Sequence, residues 1–262
     1  MTRTTRMMLA AGAAFLLSAA GAEAATLVGL TADNHLLRID SQSRRAMTPI
    51  RVTGIEGRLL GIDVRPADMK LYGLTDAGQI VTIDATTGRA TLVSRLSERF
   101  ESGGRATIDF NPVADRLRVM GMSGVNFRVN VETGAVVKDG TLKYQAGTPW
   151  AETTPRVVAG AYTNSMPGAT ATMLYTVDTL SRSLNLQAPP NDGVQQPRGE
   201  IAANLPVGVA FDIMPEAGGG NMAVLLASNT LHHVDLSNGK AMPVGAVSGL
   251  PQAEVIDIAV MQ

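Results

Sequence analysis

Residues 60–94, LGIDVRPADMKLYGLTDAGQIVTIDATTGRATLVS, read as four short strands in succession, and most of the remaining chain repeats them. Apolar runs at 60–64, 71–74, 80–83 and 90–93 are separated by Arg65-Pro66-Ala67-Asp68, Asp76-Ala77-Gly78 and Thr86-Thr87-Gly88. Each separator carries the Pro, Asp or Gly that a tight turn requires, so the stretch predicts an antiparallel meander.

Working outward, Ile62-Asp63-Val64-Arg65-Pro66 returns as Ile108-Asp109-Phe110-Asn111-Pro112, as Phe211-Asp212-Ile213-Met214-Pro215 and as Ile256-Asp257-Ile258. The recurrences stand roughly 45 residues apart, apart from one gap of about twice that length, which Val157-Val158-Ala159-Gly160-Ala161-Tyr162 fills without an Asp. A second register lies at the third strand: Arg38-Ile39-Asp40, Thr82-Ile83-Asp84, Arg128-Val129-Asn130, Asn185-Leu186-Gln187 and His233-Val234-Asp235. Three of these run into a turn ending at Gly88, Gly134 or Gly239, where glycine supplies the positive φ of a hairpin.

The repeats are out of step at the ends. Residues 26–30 read as a second strand, whereas 255–261 are a first strand with nothing after it. A leftover strand at one end that completes the unit at the other is how a ring of four-stranded sheets closes. The expected fold is therefore all-β: a five-bladed β-propeller over residues 25–262, closed by the C-terminal strand pairing in the N-terminal blade. Six blades, with a degenerate one inside 143–205, is the alternative. A double β-sandwich predicts no such offset.

Residues 1–24 are expected to be a signal peptide. Arg3 and Arg6 precede a short apolar run, and Ala22-Glu23-Ala24 offers the small residues of a cleavage site after Ala24. The run is shorter than a membrane span, and no Cys follows it to carry a lipid. Periplasmic or extracellular location follows, with no membrane span after cleavage. With no cysteine at all, stability must come from the core. A formal charge of −1 without any basic stripe argues against nucleic acid.

Two groups of residues could carry function. First strands line the axis of a propeller, so Asp63, Asp109, Asp212 and Asp257 should converge there. Four carboxylates suit a hard cation such as Ca²⁺; equally, each could accept main-chain N–H bonds as a repeated brace. The second group lies in two long connections flanking the third blade, 95–105 and 143–156, which carry Arg99, Phe100, Arg105, Tyr144 and the only tryptophan, Trp150. Aromatics beside guanidinium groups suit a sugar ring or a carboxylate, or they simply order the loops. His232 and His233 are adjacent in a strand and point to opposite sides, so they do not share a metal with ease. Gly121-Met122-Ser123-Gly124 lacks the spacing of a nucleophile elbow. Residues 189–198 and 214–221 read as flexible tips.

The text of the third blade, residues 108–119 followed by Asn126-Phe127-Arg128-Val129-Asn130, resembles a bacterial exported family catalogued as domain of unknown function 4394. The opening Leu27-Val28-Gly29-Leu30-Thr31 and residues 57–65 are similar to it as well. The resemblance implies a propeller-like domain and export, and assigns no active residues. Within that text Asp115 and Arg116 are expected to brace the turn, and Arg116 and Arg118 to alternate with Leu117 and Val119 on a half-buried strand. A looser likeness, at residues 82–89, is to repeats of surface-layer and quinoprotein-type propellers. The expected function is a non-catalytic binder of a small molecule, glycan or protein. The alternatives are a metal-dependent hydrolase or lactonase using the axial carboxylates, or an envelope scaffold.

Overall fold

The structure, a computed structural model, describes residues 26–201, 205–206, 208–216 and 218–261. The expected signal peptide at 1–24 lies outside the described residues. Five sheets stand in a ring as the blades of a propeller. Blade 2 holds Leu59–Val64, Leu71–Thr75, Gln79–Ile83 and Ala90–Arg95, in order from the axis outward. Blade 3 holds Ala106–Asn111, Arg116–Gly121, Asn126–Val129 and Val136–Lys138; blade 5 holds Val209–Pro215, Asn221–Ala227, Thr230–Val234 and Ala241–Ala246. Blade 4 holds Val157–Tyr162, Leu174–Asp178, Ser183–Gln187 and Val194–Glu200.

Blade 1 is built from both ends of the chain. Val255–Met261 is its first strand and pairs antiparallel with Thr26–Thr31, Leu27 opposite Val260 and Gly29 opposite Ile258. His35–Asp40 follows, then the short pieces Arg45–Ala46 and Ile50–Arg51. The five first strands pack on one another around the axis.

The turn after the third strand shows how local sequence sets the architecture. In blades 2, 3 and 5 the side chain of Asp84, Asn130 or Asp235 accepts the N–H two residues on, at 2.7, 3.0 and 2.8 Å, and a positive-φ glycine closes the turn. Glycine is needed there for a second reason: a side chain at Gly134 would stand 1.7 Å from the carbonyl oxygen of Arg95 in blade 2. Each such turn presses on the chain leaving the previous blade. Thr53 N–H donates to Gly88, Ser97 to Gly134, Lys143 to the corresponding Gly193 of blade 4, and Ser248 to Arg44 of blade 1.

Apolar layers fill the seams between blades. The blade 4 to 5 seam buries Val158, Tyr175, Val177, Phe211, Ile213 and Leu225, among others. Fully burying each large apolar side chain contributes about 1.5–3 kcal/mol. The seam between blades 3 and 4 is different. Its apolar cluster is small, and Arg118 is fully buried within it, donating to the Tyr162 hydroxyl at 3.1 Å, Asn126 Oδ1 at 2.9 Å, Asp139 and Asn191 Oδ1 at 2.9 Å. Arg118 is thus not on a half-buried strand face but is the polar centre of a seam.

Three further expectations are corrected. Asp115 forms a two-pronged pair with Arg65 of blade 2, rather than bracing its own turn. Lys143–Tyr144 is no plain connection, because it adds a parallel strand to the outer edge of blade 4. Residues 189–198 are not a flexible tip: Pro190–Asp192 form a single 3-10 turn, and Val194–Glu200 is a sheet strand.

Since the last strand supplies the innermost layer of blade 1, removing residues 255–262 should abolish the cooperative thermal transition followed by circular dichroism. A truncated chain that melts as sharply as the full one would contradict ring closure.

Candidate functional site

The axis carries the four predicted carboxylates, all buried. Asp63 accepts the N–H of Phe110 in blade 3 at 2.7 Å, and Asp109 that of Tyr162 in blade 4 at 2.9 Å. Asp212 accepts from Val260 in blade 1 at 2.6 Å, and Asp257 from Ile62 in blade 2 at 2.9 Å. Asp63, Asp212 and Asp257 use the second oxygen on the N–H of the next residue in their own strand. Every one therefore crosses to the neighbouring blade. Ala161 takes the place in blade 4, so among the described residues no first-strand carboxylate crosses from blade 4 to blade 5.

Oxygens of Asp63, Asp109 and Asp212 also converge, lying within 4.8 Å of one another. Burial together with neighbouring negative charge pushes Asp63 and Asp109 well above the usual carboxylate range. Burial does the same for Asp257, and raises Asp212 to about 6 against the pull of its two N–H donors. The cluster can hold protons or, by its oxygen donors, a hard cation.

The end of the axis where the first strands begin is ringed by the residue preceding each of them: Arg58, Arg105, Arg156, Gly208 and Glu254. Arg105 reaches across from blade 3. Its Nη2 donates to the carbonyls of Val209 in blade 5 at 3.0 Å and Ile256 in blade 1 at 2.8 Å. Nη1 lies 3.7 Å from Glu254 Oε2, too far for a hydrogen bond. Beside it opens a cavity of about 170 Å³ lined by Arg58, Leu60, Gly104, Arg105, Glu254 and Ile256, among others. At the opposite end the axis holds a void of only about 10 Å³ beside Asp63 and Asp212.

The five predicted loop residues are divided among separate contacts. Arg99 pairs with Glu101 at the surface, and Phe100 packs edge-on against Phe127, ring centres 5.7 Å apart. Tyr144 is buried, its hydroxyl donating to Asp178 at 2.7 Å, and half-buried Trp150 lies against it at 5.8 Å. Arg105 alone of the five lies at the axis mouth. Sequence reading missed Arg58 and Glu254. Their signal was position, since each immediately precedes a first strand, but that place varies from blade to blade and so carries no repeat.

Comparison with known proteins bears on the whole chain. The family described as "Domain of unknown function (DUF4394)" matches residues 35–259. No curated protein matches. Among solved structures, a protein of unknown function from Bacteroides thetaiotaomicron VPI-5482 superposes with a TM-score of 0.53 at 15% identity, over 92% of this chain and 65% of that one. A protein of unknown function from Bacteroides caccae gives 0.46 at 10% identity, over 88% and 77%. The computationally designed Ika8 protein gives 0.39 at 13%, over 88% and 61%. This chain thus spans less than two thirds of the first and third of these structures, and the likeness to the first speaks to fold alone.

The raised axial carboxylates set the pH dependence of stability. The folded state holds protons that the unfolded chain, titrating near 3.8, has released, so this stabilisation is complete below that value and is lost as pH rises through about 6 and beyond. Asp212 alone contributes on the order of 3 kcal/mol. Denaturant midpoints should be higher at pH 5 than at pH 7.5. Asp212→Asn places an amide N–H against a main-chain donor, so at pH 5 it should cost about 1–3 kcal/mol. The same variant should shrink the fall between the two pH values. Midpoints that climb with pH across this range would overturn the assignment.

Proposed function

The chain belongs to the Domain of unknown function (DUF4394) family, and from that premise we propose that it is an exported, non-catalytic propeller that binds a small carboxylate-bearing ligand at the Arg105 end of its axis. One observation carries the reading: Arg105 is fixed across the axis through Nη2, while Nε and Nη1 make no hydrogen bond among the described residues, beside a cavity that Arg58 also lines. A guanidinium held in place with unspent N–H groups at Nε and Nη1 is preorganised to donate a charge-assisted hydrogen bond to a carboxylate oxygen.

The cavity lining contains no His, Ser, Thr, Tyr or Lys among the described residues, and its one carboxylate, Glu254, is exposed. Chemistry that needs a nucleophile or a tuned base has nothing to use there. Export rests on residues 1–24, and no described helix is long and apolar enough to cross a membrane. The remaining loop residues serve this reading indirectly: Phe100, Tyr144 and Trp150 order the connections on either side of blade 3.

A second reading, a cation-dependent hydrolase or lactonase, is favoured by the convergence of Asp63, Asp109 and Asp212. Against it stand the main-chain amides that already occupy these carboxylates.

Titration calorimetry of the full chain with propionate should show binding that Arg105→Gln, checked as folded by its thermal melt, weakens about tenfold to a hundredfold, the cost of losing a charged hydrogen bond. Absence of any carboxylate binding by a folded protein would remove the proposal. Stoichiometric Ca²⁺ in metal analysis, lost in Asp109→Asn together with ester hydrolysis, would install the second reading instead.

A further inference from the structure

Resting on the carboxylate-binding reading above, we infer that the axis mouth takes a small zwitterion, a molecule with a carboxylate and an ammonium a few bonds apart, as in an α-amino acid. Three ionisable groups line the cavity, and they are of both signs: Arg58, Arg105 and Glu254. Arg58 is drawn aside toward Asp76, 3.4 Å away, and Arg105 is held by Val209 and Ile256. Glu254 is seated with equal definition. Its Oε1 occupies the space where a side chain at position 208 would begin, 1.3 Å from the Cβ that Gly208 lacks, and its main-chain oxygen accepts the N–H of Ala32 at 2.9 Å.

The two signs form a loose ion pair with no hydrogen bond between them. Arg105 Nη1 and Glu254 Oε2 stand 3.7 Å apart, close enough to attract and too far to share a proton. A plain carboxylate entering here would meet Arg105 but also face Glu254. A plain amine would meet Glu254 and face two guanidinium groups. A zwitterion presents its carboxylate to an unspent N–H of Arg105 and its ammonium to Glu254, satisfying both.

The test compares L-alanine, propionate and propylamine by calorimetry on the full chain. L-Alanine should bind about three- to fivefold more tightly than propionate, the worth of a partly exposed ion pair, and propylamine should not bind. Glu254→Gln should erase the advantage of L-alanine and leave propionate as tight or tighter. If propionate and L-alanine bind equally and Glu254→Gln alters their ratio by nothing, the zwitterion is wrong while the carboxylate site stands. If neither binds although thermal melts show both proteins folded, the carboxylate site is wrong as well.

Discussion

Four carboxylates at the axis hold the ring together, each accepting a main-chain N–H from the next blade. A first strand has one edge in its own sheet and the other facing the channel, where its amides would otherwise lack partners. An Asp in the first strand reaches across and satisfies the neighbour's amide, so the same residue stitches blades and settles backbone polarity. The cost is four buried acids within one narrow column, and burial raises all four above the usual carboxylate range. The polar seam at Arg118 follows similar logic at a larger radius. A buried guanidinium is tolerated because Tyr162, Asn126, Asp139 and Asn191 all receive its donors.

What could be read from the sequence follows from what repeats. The first-strand Asp, the Asp-Thr-Thr-Gly type of turn and the end-to-end offset recur because each blade solves the same problem, and all three are found in the structure. Features that occur once were not legible. Arg118 alternates with Leu117 and Val119 as any surface strand would, and its burial depends on a blade 4 loop some seventy positions away, roughly, that periodicity cannot bring near. The parallel strand Lys143–Tyr144 is two residues long and carries no pattern. The aromatic loop residues share a composition, but packing sets Phe100 on the core between blades 2 and 3 and Tyr144 on Asp178 of blade 4.

The candidate binding site illustrates the same division. Residues at the start of the first strands are free of the repeat's demands, since the Asp brace lies deeper in the strand. That freedom is where the blades differ: arginine in three of them, glycine in one and glutamate in another. Fold is carried by what the blades share, and individuality by the rim.

The seam from blade 4 to blade 5 is built on another plan. Ala161 supplies no brace, and the turn of blade 5 presses Asn238 on Gly199 without a main-chain bond like those at the other seams, among the described residues. Apolar packing and the reciprocal Asn164–Asn221 amide pair hold it. Among the described residues this seam leans on apolar packing and one side-chain amide pair where its neighbours use carboxylate braces, so its cohesion follows the hydrophobic driving force and weakens on cooling more than theirs.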